Sequence, residues 1–507
     1  MNLEHFTEKI SQGYTFKGEF ITIGGALFNN EPIANLPITI PLKTLNRHGL
    51  IAGATGTGKT KTIQVLSEQL SSKGIPVLMM DIKGDFSGIA KPGVLTPFIE
   101  ERHSKMQIPY NPTNFPVELL TISKQDGVRL RATISEFGPV LLSRILDLND
   151  TQSGVMSLIF KYCDDNKLPL LDLKDLKKVI QYITNEGKDS IEQEYGRVST
   201  ASTGAILRKL IELEQQDADL FFGETSFDIN DLMRIDENGK GFVNILRLND
   251  IQDKPKLFST FMLCLLAEIY NTMPEQGDSG QPELVLFIDE AHLIFKEATK
   301  ALLDQIETII KLIRSKGVGV YFITQNPTDI PDGVLAQLGL KIQHALRAFT
   351  DKDRKAIKLA SENFPTTEFY KTNEIITQLG TGEALVTVLN EKGIPTPLSV
   401  CMIQAPMSRM DVLKNDEIEN LISQSTLRNK YNTVVDRESA YEILNAKISS
   451  LPVEQKTVTK ETAKSSNKKE TTTKKDDNFI GKQLIKVLTS ATFIRGAFGV
   501  LTKILKK

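Results

Sequence analysis

The stretch Gly53-Ala54-Thr55-Gly56-Thr57-Gly58-Lys59-Thr60 decides the fold, because it matches the pattern G-x-x-x-x-G-K-[ST] at every fixed position. Its glycines let the loop bend until successive backbone N–H groups point at phosphate oxygens, an approach that a Cβ atom would block. In this pattern the lysine reaches the β- and γ-phosphates, and the last hydroxyl binds Mg²⁺. The predicted nucleotide-binding residues are Gly53, Ala54, Thr55, Gly56, Thr57, Gly58, Lys59, Thr60 and Lys61.

The sequence on both sides of this loop supports phosphate binding. An apolar run leads into the glycines and a helical pattern occupies residues 60–72, so the order is strand, loop and helix. A glycine-rich surface turn, the alternative, does not require such flanks. A dinucleotide fingerprint starting at Gly56 would need glycine at the position of Lys61, so the sequence excludes that type of NAD site.

A second run, LVLFIDE at residues 284–290, predicts a buried strand that ends in two carboxylates. Phosphate-loop enzymes need one acidic residue at such a strand end to hold the Mg²⁺ shell, and a second to polarise the attacking water. Buried strands also end in acidic residues for structural reasons alone. The combination with the glycine-rich loop favours Asp289 as a metal ligand and Glu290 as the catalytic base.

Three further residues are candidates for the catalytic site, beside Lys59 and Glu290. Gln325 ends the strand VGVYFIT and either reaches the γ-phosphate and its water or caps the following loop. Arg314 ends a long helix, where a cation suits the helix dipole, but such an arginine also suits a finger that completes a neighbouring subunit's site. Arg347, in HALRAFT, is the second candidate for that finger.

Three other polar residues lie near these motifs in the sequence. Asp85, in DIKGD, either orients Mg²⁺ or water or is a turn residue. We expect His292, which follows Asp-Glu-Ala, to be a structural neighbour of the site, and His344 to pack within its strand.

Hydrophobic periodicity alternates between strands and helices, which predicts an α/β fold with a mostly parallel sheet and helices on both faces. A long middle stretch shows helical segments with hardly any strand signal, which indicates an all-helical insertion. The predicted units are a short β-rich N-terminal segment (1–45), two parts of the core (46–113 and 226–408) separated by the insertion (114–225), a helical extension (409–450), a disordered linker (451–478) and a basic amphipathic helix (479–507).

The composition is that of a soluble globular protein of several domains. The chain has 507 residues, of which 40% are hydrophobic and 24% are charged, and a formal net charge of −2. Its three cysteines lie in apolar runs without a zinc spacing, which favours buried, reduced thiols in a cytoplasmic protein. The N-terminus lacks the apolar run of a secretory signal, and no run is long enough to span a bilayer.

The segment 479–507 carries six basic residues and no acidic one. Its apolar residues recur at spacings of three and four, which predicts a basic amphipathic helix. Such a helix docks on its own body or on a sister subunit, lies on an anionic membrane surface, or contacts nucleic acid. These alternatives stay open, so the expected location is cytoplasmic and includes the inner face of the membrane.

The glycine-rich loop, DIKGD, LFIDEAH, FITQNP and HALRAFT, in this order, resemble the motifs of the HerA-like branch of the HerA/FtsK P-loop ATPases, and most closely the bacterial YjgR-type proteins. The resemblance covers about residues 15–408. It implies a RecA-like core, ATP and Mg²⁺ as cofactors, hexameric rings and translocation on double-stranded DNA. It also implies an arginine finger at Arg314, eleven residues before Gln325, where related coupling ATPases place one.

These features lead us to expect an ATP-driven ring motor, a homo-oligomer that acts on DNA. No helix-turn-helix or zinc module is recognisable in the sequence, so DNA follows from the resemblance alone, and a partner nuclease is not identified. The main alternative is a scaffold at a membrane surface whose assembly is controlled by ATP. A small-molecule kinase is a weaker alternative, because the helical insertion shows no acceptor site.

Overall fold

The computed structural model describes residues 2–277, 279–296, 300–435 and 437–450. The predicted linker at 451–478 and the predicted basic helix at 479–507 lie outside these residues. At the centre of the described chain is a twelve-stranded sheet. Its strands are β1 (Phe20–Phe28), β2 (Glu31–Pro41), β3 (Gly49–Ala52), β4 (Val77–Asp81), β5 (Val117–Thr121), β6 (Val128–Arg129), β7 (Val243–Arg247), β8 (Leu284–Ile288), β9 (Val318–Thr324), β10 (Leu340–His344), β11 (Glu383–Thr387) and β12 (Ser399–Ile403).

Helices connect most of these strands. They are α1 (Leu3–Gly13), α2 (Lys59–Ser72), α3 (Pro97–Met106), α4 (Ile134–Ile145), α5 (Asp150–Asp165), α6 (Leu173–Thr184), α7 (Lys188–Tyr195), α8 (Thr200–Glu214), α9 (Ile229–Leu232), α10 (Pro255–Thr272), α11 (His292–Lys296), α12 (Lys300–Ile313), α13 (Asp332–Leu335), α14 (Asp351–Glu362), α15 (Thr372–Gln378), α16 (Asn415–Ser423), α17 (Arg428–Asn432) and α18 (Ala440–Ser449). Within the described ranges, none of them combines the length and the hydrophobicity that crossing a bilayer requires.

The strand order is β2-β1-β12-β11-β10-β3-β9-β8-β4-β7-β5-β6. All neighbours from β10 to β6 pair in parallel, whereas those from β10 to β2 pair antiparallel. The predicted mostly parallel α/β sheet is confirmed. Because parallel strands share one direction, β3, β9, β8 and β4 end at the same edge of the sheet, and the loops that follow them lie together.

The middle of the sheet is buried on both faces. Every residue of β3, β8 and β9 is buried, as expected for parallel strands that are covered on each side. The helix α2 adds Ile63, Leu66 and Leu70 to the same core cluster. Burying each such side chain contributes about 1.5–3 kcal/mol, so packing fixes the start of α2 relative to the end of β3.

The helices α4 to α8 form a second compact unit, made of residues 133–215 and 222–224 together with the described residues from 435 onward. Side-chain caps begin several of these helices, and Thr133, Asn149 and Asp172 each start one with a capping box. The helix α18 packs against α6. Within that contact, the backbone N–H of Tyr441 donates to the buried carboxylate of Asp175 at 2.9 Å.

The structure differs from the predicted boundaries at two places. The range 114–225 contains β5 and β6, which extend the parallel sheet, so only its later part is helical. The strand β5 has only five residues, VELLT, which is too short for periodicity to separate strand from helix. The segment 1–45 begins with α1, and its two strands join the central sheet through β12.

Candidate site for nucleotide binding and hydrolysis

The glycine-rich loop lies between the end of β3 and the start of α2. Its residues Gly53, Gly56 and Gly58 have φ angles of 154°, 77° and 112°, which residues with a side chain rarely adopt. A Cβ at Gly53 would lie 2.5 Å from the Cβ of His344, and one at Gly58 would lie 3.0 Å from the Cα of Gly382. The loop therefore needs glycine at these positions, and its backbone is shaped as a cradle for an anion.

Lys59 is the first residue of α2 and is 7% exposed. Its Nζ donates to the carbonyl oxygens of Gly53 at 2.5 Å and Ala54 at 3.0 Å. Burial, and to a smaller extent the charge of Lys83, lowers the pKa of Lys59. A phosphate group would offer this ammonium charged oxygens in place of neutral carbonyls, and charge-assisted hydrogen bonds are stronger.

The acidic pair follows β8, which is separated from β3 by β9 alone. Asp289 and Glu290 are 6% and 7% exposed. Burial raises the pKa of Asp289 to about 6. Glu290 has a φ angle of 46°. Its Oε1 lies 2.5 Å from Nζ of Lys83, and its Oε2 lies 3.2 Å from Nδ1 of His292, so His292 is a neighbour of the acidic pair.

A third buried carboxylate, Asp81, ends β4, the strand next to β8. It accepts hydrogen bonds from the N–H groups of Gly84, Asp85 and Phe86 at 2.7, 3.0 and 3.3 Å. Burial, with a small contribution from the charge of Asp289, raises the pKa of Asp81 to about 6. Asp85 thus belongs to a turn that Asp81 organises, which matches the second of its two predicted roles.

The oxygen atoms at this edge suit Mg²⁺. This ion usually binds one or two carboxylates together with phosphate oxygens and keeps several waters. In the part of the chain that the structure describes, no group of three or more His, Cys, Asp or Glu side chains forms a metal centre by itself. The buried carboxylate of Asp289 and the hydroxyl of Thr60 fit an ion that arrives with a nucleotide, because a cation would relieve the cost of burying this carboxylate's charge.

Gln325 follows β9, between the tips of β3 and β8. The N–H of Ala291, which directly follows the acidic pair, donates to the carbonyl oxygen of Ile323 at 2.8 Å. The end of β9 therefore contacts the segment that carries the acidic pair. The Gln325 side chain is exposed, and with His292 it lines a cavity of about 780 Å³. The cap of the following 3-10 turn is Asn326, so the capping role predicted as an alternative for Gln325 belongs to its neighbour.

The two candidate arginines lie at opposite edges of the sheet. Arg347 follows β10 at the edge of the glycine-rich loop, and its Nη1 donates to the carbonyl oxygen of Thr377 at 2.8 Å. Arg314 precedes β9 at the other edge, where it lines a cavity of about 620 Å³ with Arg47 and Lys341. Arg314 is therefore remote from the loop of its own chain, as an arginine that acts on a neighbour requires.

His344 and Arg102 hold the loop and the start of α2 through contacts with distant segments of the chain. His344 is fully buried, and its ring contacts the side chain of Thr62 on α2 at 2.9 Å and the carbonyl oxygen of Glu383 at 2.9 Å. Burial lowers the pKa of His344 to about 4, so the ring is neutral. His344 therefore contacts α2 as well as packing within its strand. Arg102 donates to the carbonyl oxygen of Gly382 at 2.6 Å, and the N–H of Gly382 donates to the glycine-rich loop at 2.9 Å.

Thr55, Gly56 and Lys61 are further predicted nucleotide-binding residues. Thr55 and Gly56 are exposed and form the open side of the loop. Lys61 bonds instead to the side chain of Gln64 at 3.2 Å and to the carbonyl oxygen of Met410. Burial lowers its pKa. Lys61 thus contacts the segment after β12, in contrast to Lys59, which contacts the loop.

A glycine-rich loop that leads into a helix-starting lysine, with an acidic pair on a nearby parallel strand, defines a P-loop ATPase. The family model described as Helicase HerA-like C-terminal matches residues 28–496 of this chain. The chain belongs to this family of HerA-like P-loop ATPases.

Curated relatives agree with this assignment, and a solved structure shares the fold. The chain is 22% identical to the DNA double-strand break repair helicase HerA of Sulfolobus acidocaldarius over 75% of its own length and 69% of the relative's. It is 25% identical to the HerA helicase of Sulfurisphaera tokodaii, over 70% and 64%. The bacterial conjugative coupling protein TrwB shares the fold with a TM-score of 0.52 at 16% identity, over 81% of this chain and 94% of TrwB.

Proposed function

We propose that this chain is an ATP-driven motor that translocates on double-stranded DNA as a homo-oligomeric ring of six subunits. The observation that carries the proposal is the arrangement of Lys59, the pair Asp289 and Glu290, and Gln325 at the ends of three neighbouring strands. This arrangement brings an anion cradle, a site for a divalent cation and a buried base to one edge of one sheet, as phosphoryl transfer to water requires.

In the proposed reaction, the loop N–H groups and Lys59 bind the phosphates of ATP. Thr60 and Asp289 hold Mg²⁺, which supplies positive charge to the phosphate oxygens when bound. Glu290 accepts a hydrogen bond from the attacking water, and Gln325 orients this water toward the γ-phosphate. Lys59, Asp289 and Glu290 are buried at the ends of packed elements, so these groups need little reorganisation at the moment of reaction.

A neighbouring subunit completes the proposed site. We assign Arg314 of that neighbour as the finger that stabilises charge in the transition state, because it lies at the opposite edge of its own sheet. Arg347 is the second candidate, and it lies at the edge of its own chain's loop. A finger supplied by a neighbour requires an oligomer, which links hydrolysis to ring formation.

The relatives support DNA as the substrate along which the motor moves. Two HerA relatives are named as DNA double-strand break repair helicases, and a further relative from Sulfolobus acidocaldarius is named as the DNA import protein CedB. TrwB was solved in complex with ADP and Mg²⁺. The proposed cofactors of this chain are accordingly ATP and Mg²⁺.

The proposal is tested by measuring ATP hydrolysis with and without duplex DNA at stated salt. We expect DNA to stimulate turnover, and Lys59→Ala and Glu290→Gln to reduce it by about 100-fold or more, because each removes a group that acts on the transferred phosphate or the water. Glu290→Gln should still bind ATP. Full turnover in both variants would contradict the ATPase assignment, and turnover without DNA stimulation would contradict the motor.

We place the protein in the cytoplasm, with residues 479–507 as a contact to the membrane's inner face or to a sister subunit. The basic and apolar pattern of this segment favours one alternative function, an ATP-controlled scaffold at the membrane surface. Flotation with anionic vesicles, for the full chain and for a chain ending at residue 478, separates the two functions. Stimulation of ATP hydrolysis by vesicles and not by DNA would favour the scaffold.

A further inference from the structure

Lys83 lies in a loop whose backbone is fixed at several points. The three N–H groups that follow it bind the carboxylate at the end of β4. The side chain of Gln252 donates to the carbonyl oxygen of Ile82 at 3.1 Å. Gly84 has a φ angle of 80°, and a Cβ there would lie 2.3 Å from Nδ2 of Asn249. The Lys83 side chain therefore starts from a defined position beside the acidic pair.

The ammonium group of Lys83 binds one oxygen of the proposed catalytic base. Its Nζ lies 2.5 Å from Oε1 of Glu290, whose side chain is 9% exposed, while that of Lys83 is 35% exposed. Among the described residues, the buried Oε2 of Glu290 has no hydrogen-bond partner, although Nδ1 of His292 lies 3.2 Å away. One oxygen of the carboxylate is thus bound by a cation, and the other is buried beside His292 without a hydrogen bond in the described part of the chain.

The two lysines of the site contact different groups, which supports a role for Lys83 that acts through Glu290. Lys59 contacts carbonyl oxygens of the phosphate loop, whereas Lys83 contacts the acidic pair. A buried acceptor without a partner carries a desolvation penalty. In a hydrolysis site, an oxygen of this kind is suited to accept a hydrogen bond from water.

We propose that Lys83 is a positioning residue for ATP hydrolysis. By binding Oε1, it fixes the carboxylate of Glu290 so that Oε2 accepts the hydrogen bond of the water that attacks the γ-phosphate. This inference rests on the proposed function, because it assigns Lys83 to the same reaction. Without the ammonium, Oε1 loses the cation that fixes the orientation of the carboxylate, and a misplaced base loses most of its effect.

The test is the variant Lys83→Met, which keeps the length of the side chain and removes its charge. We expect kcat to fall about 10- to 100-fold, while KM and the affinity for a non-hydrolysable ATP analogue change less than about threefold. Lys83→Arg should restore most of the lost kcat, because it returns the cation. In the Glu290→Gln background, single-turnover rates should show no further loss from Lys83→Met, because the lysine acts through the glutamate.

The matched control is Lys73→Met. The Nζ of Lys73 lies 2.5 Å from Oε2 of Glu19, and its side chain is 37% exposed, but it follows the far end of α2. We expect this variant to keep wild-type kcat, and melting temperatures of both variants exclude unfolding as the cause of a loss.

Three outcomes would overturn the inference. These are a wild-type kcat in Lys83→Met, an additive loss in the double variant, and a parallel loss of analogue binding, which would identify Lys83 as a phosphate ligand. If Lys59→Ala and Glu290→Gln also keep full turnover, the failure belongs to the proposed function.

Discussion

At the scale of single residues, His48 shows how burial fixes the state of a titratable group. It precedes β3, is 3% exposed, and uses both ring nitrogens. Its Nδ1 accepts from the N–H of Val320 at 3.0 Å, and its Nε2 donates to the carbonyl oxygen of Ile310 at 2.8 Å. Only the neutral ring can accept at one nitrogen and donate at the other. Burial lowers the pKa of His48 to about 4.

We expect His48 to make the protein less stable in mild acid. Between its unfolded pKa of 6.5 and its folded pKa of about 4, the unfolded chain takes up a proton that the folded chain does not. Lowering the pH from 7 to 5 should therefore reduce the free energy of unfolding by about 2 kcal/mol through this residue.

Denaturant titrations of the wild type and His48→Gln at both pH values measure this effect. The other titrating groups are common to both proteins, so the difference between the two pH responses isolates His48. An equal response in the two proteins would contradict the prediction.

The sequence predicts the residues whose chemistry is encoded in local spacing. Lys59 and Asp289 are recognisable because a few fixed neighbours define each motif. His344 and Lys83 lie in the motifs HALRAFT and DIKGD, but their contacts with α2 and the acidic pair join segments far apart in the chain, so the motifs do not reveal their roles. A short segment of sequence does not contain both partners of a long-range contact, so it cannot reveal the role of a residue that acts through one.

At the scale of elements, a group of hydrogen bonds that we call the clasp joins the helix α2 to the segment that follows β12. Glu68, a buried residue of α2, accepts from the N–H groups of Met407 and Ser408 at 2.8 and 3.0 Å and from the Ser408 hydroxyl. Gln64, one turn earlier, donates to the same hydroxyl at 2.7 Å. Burial raises the pKa of Glu68 to about 7. The clasp joins the end of the sheet to the helix that starts with Lys59.

We expect Glu68→Leu to lower the free energy of unfolding by about 2–4 kcal/mol, because two backbone N–H groups lose their acceptor at a buried position. Glu68→Gln keeps one carbonyl oxygen as an acceptor and should lose less. Denaturant titration ranks the three proteins, and limited proteolysis reports whether the segment around Ser408 is released. A leucine variant as stable as the wild type would show that the clasp contributes nothing.

The hydrophobic patterns predict the long strands and helices of the core. They predict neither the strand β5 nor the pairing of β1 with β12. The strand β5 has only five residues, so its pattern fits a helix as well as a strand. The pairing of β1 with β12 joins residues from opposite ends of the chain, which no local pattern encodes. The sequence therefore predicts the class of the sheet but not the pairing of its first strand with its last.

At the scale of the whole molecule, the two parts of the proposed catalytic site lie at opposite edges of the sheet. Lys59 and Glu290 belong to the edge where the parallel strands end, and Arg314 belongs to the edge where they begin. A single chain cannot bring these edges together without unfolding the sheet. Copies arranged head to tail can, and such contacts close into a ring when the rotation between neighbours is a whole fraction of a turn.

We expect subunit mixing to restore activity to two inactive variants. Arg314→Ala should disable the neighbour's site, and Lys59→Ala should disable its own. In an equal mixture, about a quarter of the interfaces combine an intact loop with an intact arginine, so hydrolysis should return to about that fraction. ATPase assays after co-refolding or co-expression, with mass measurement to verify mixed assemblies, check this. Mixtures as inactive as each parent would place Arg314 outside a shared site.

The left-handed backbone of Glu290 sets a limit on how stable this molecule can become. A residue with a side chain loses about 1 kcal/mol or more in that conformation, whereas glycine does not. Its buried carboxylate adds a further penalty. Selection for stability alone would therefore remove the acidic side chain from this position. A consensus or directed-evolution screen scored only by heat resistance would tend to discard the working part of the enzyme.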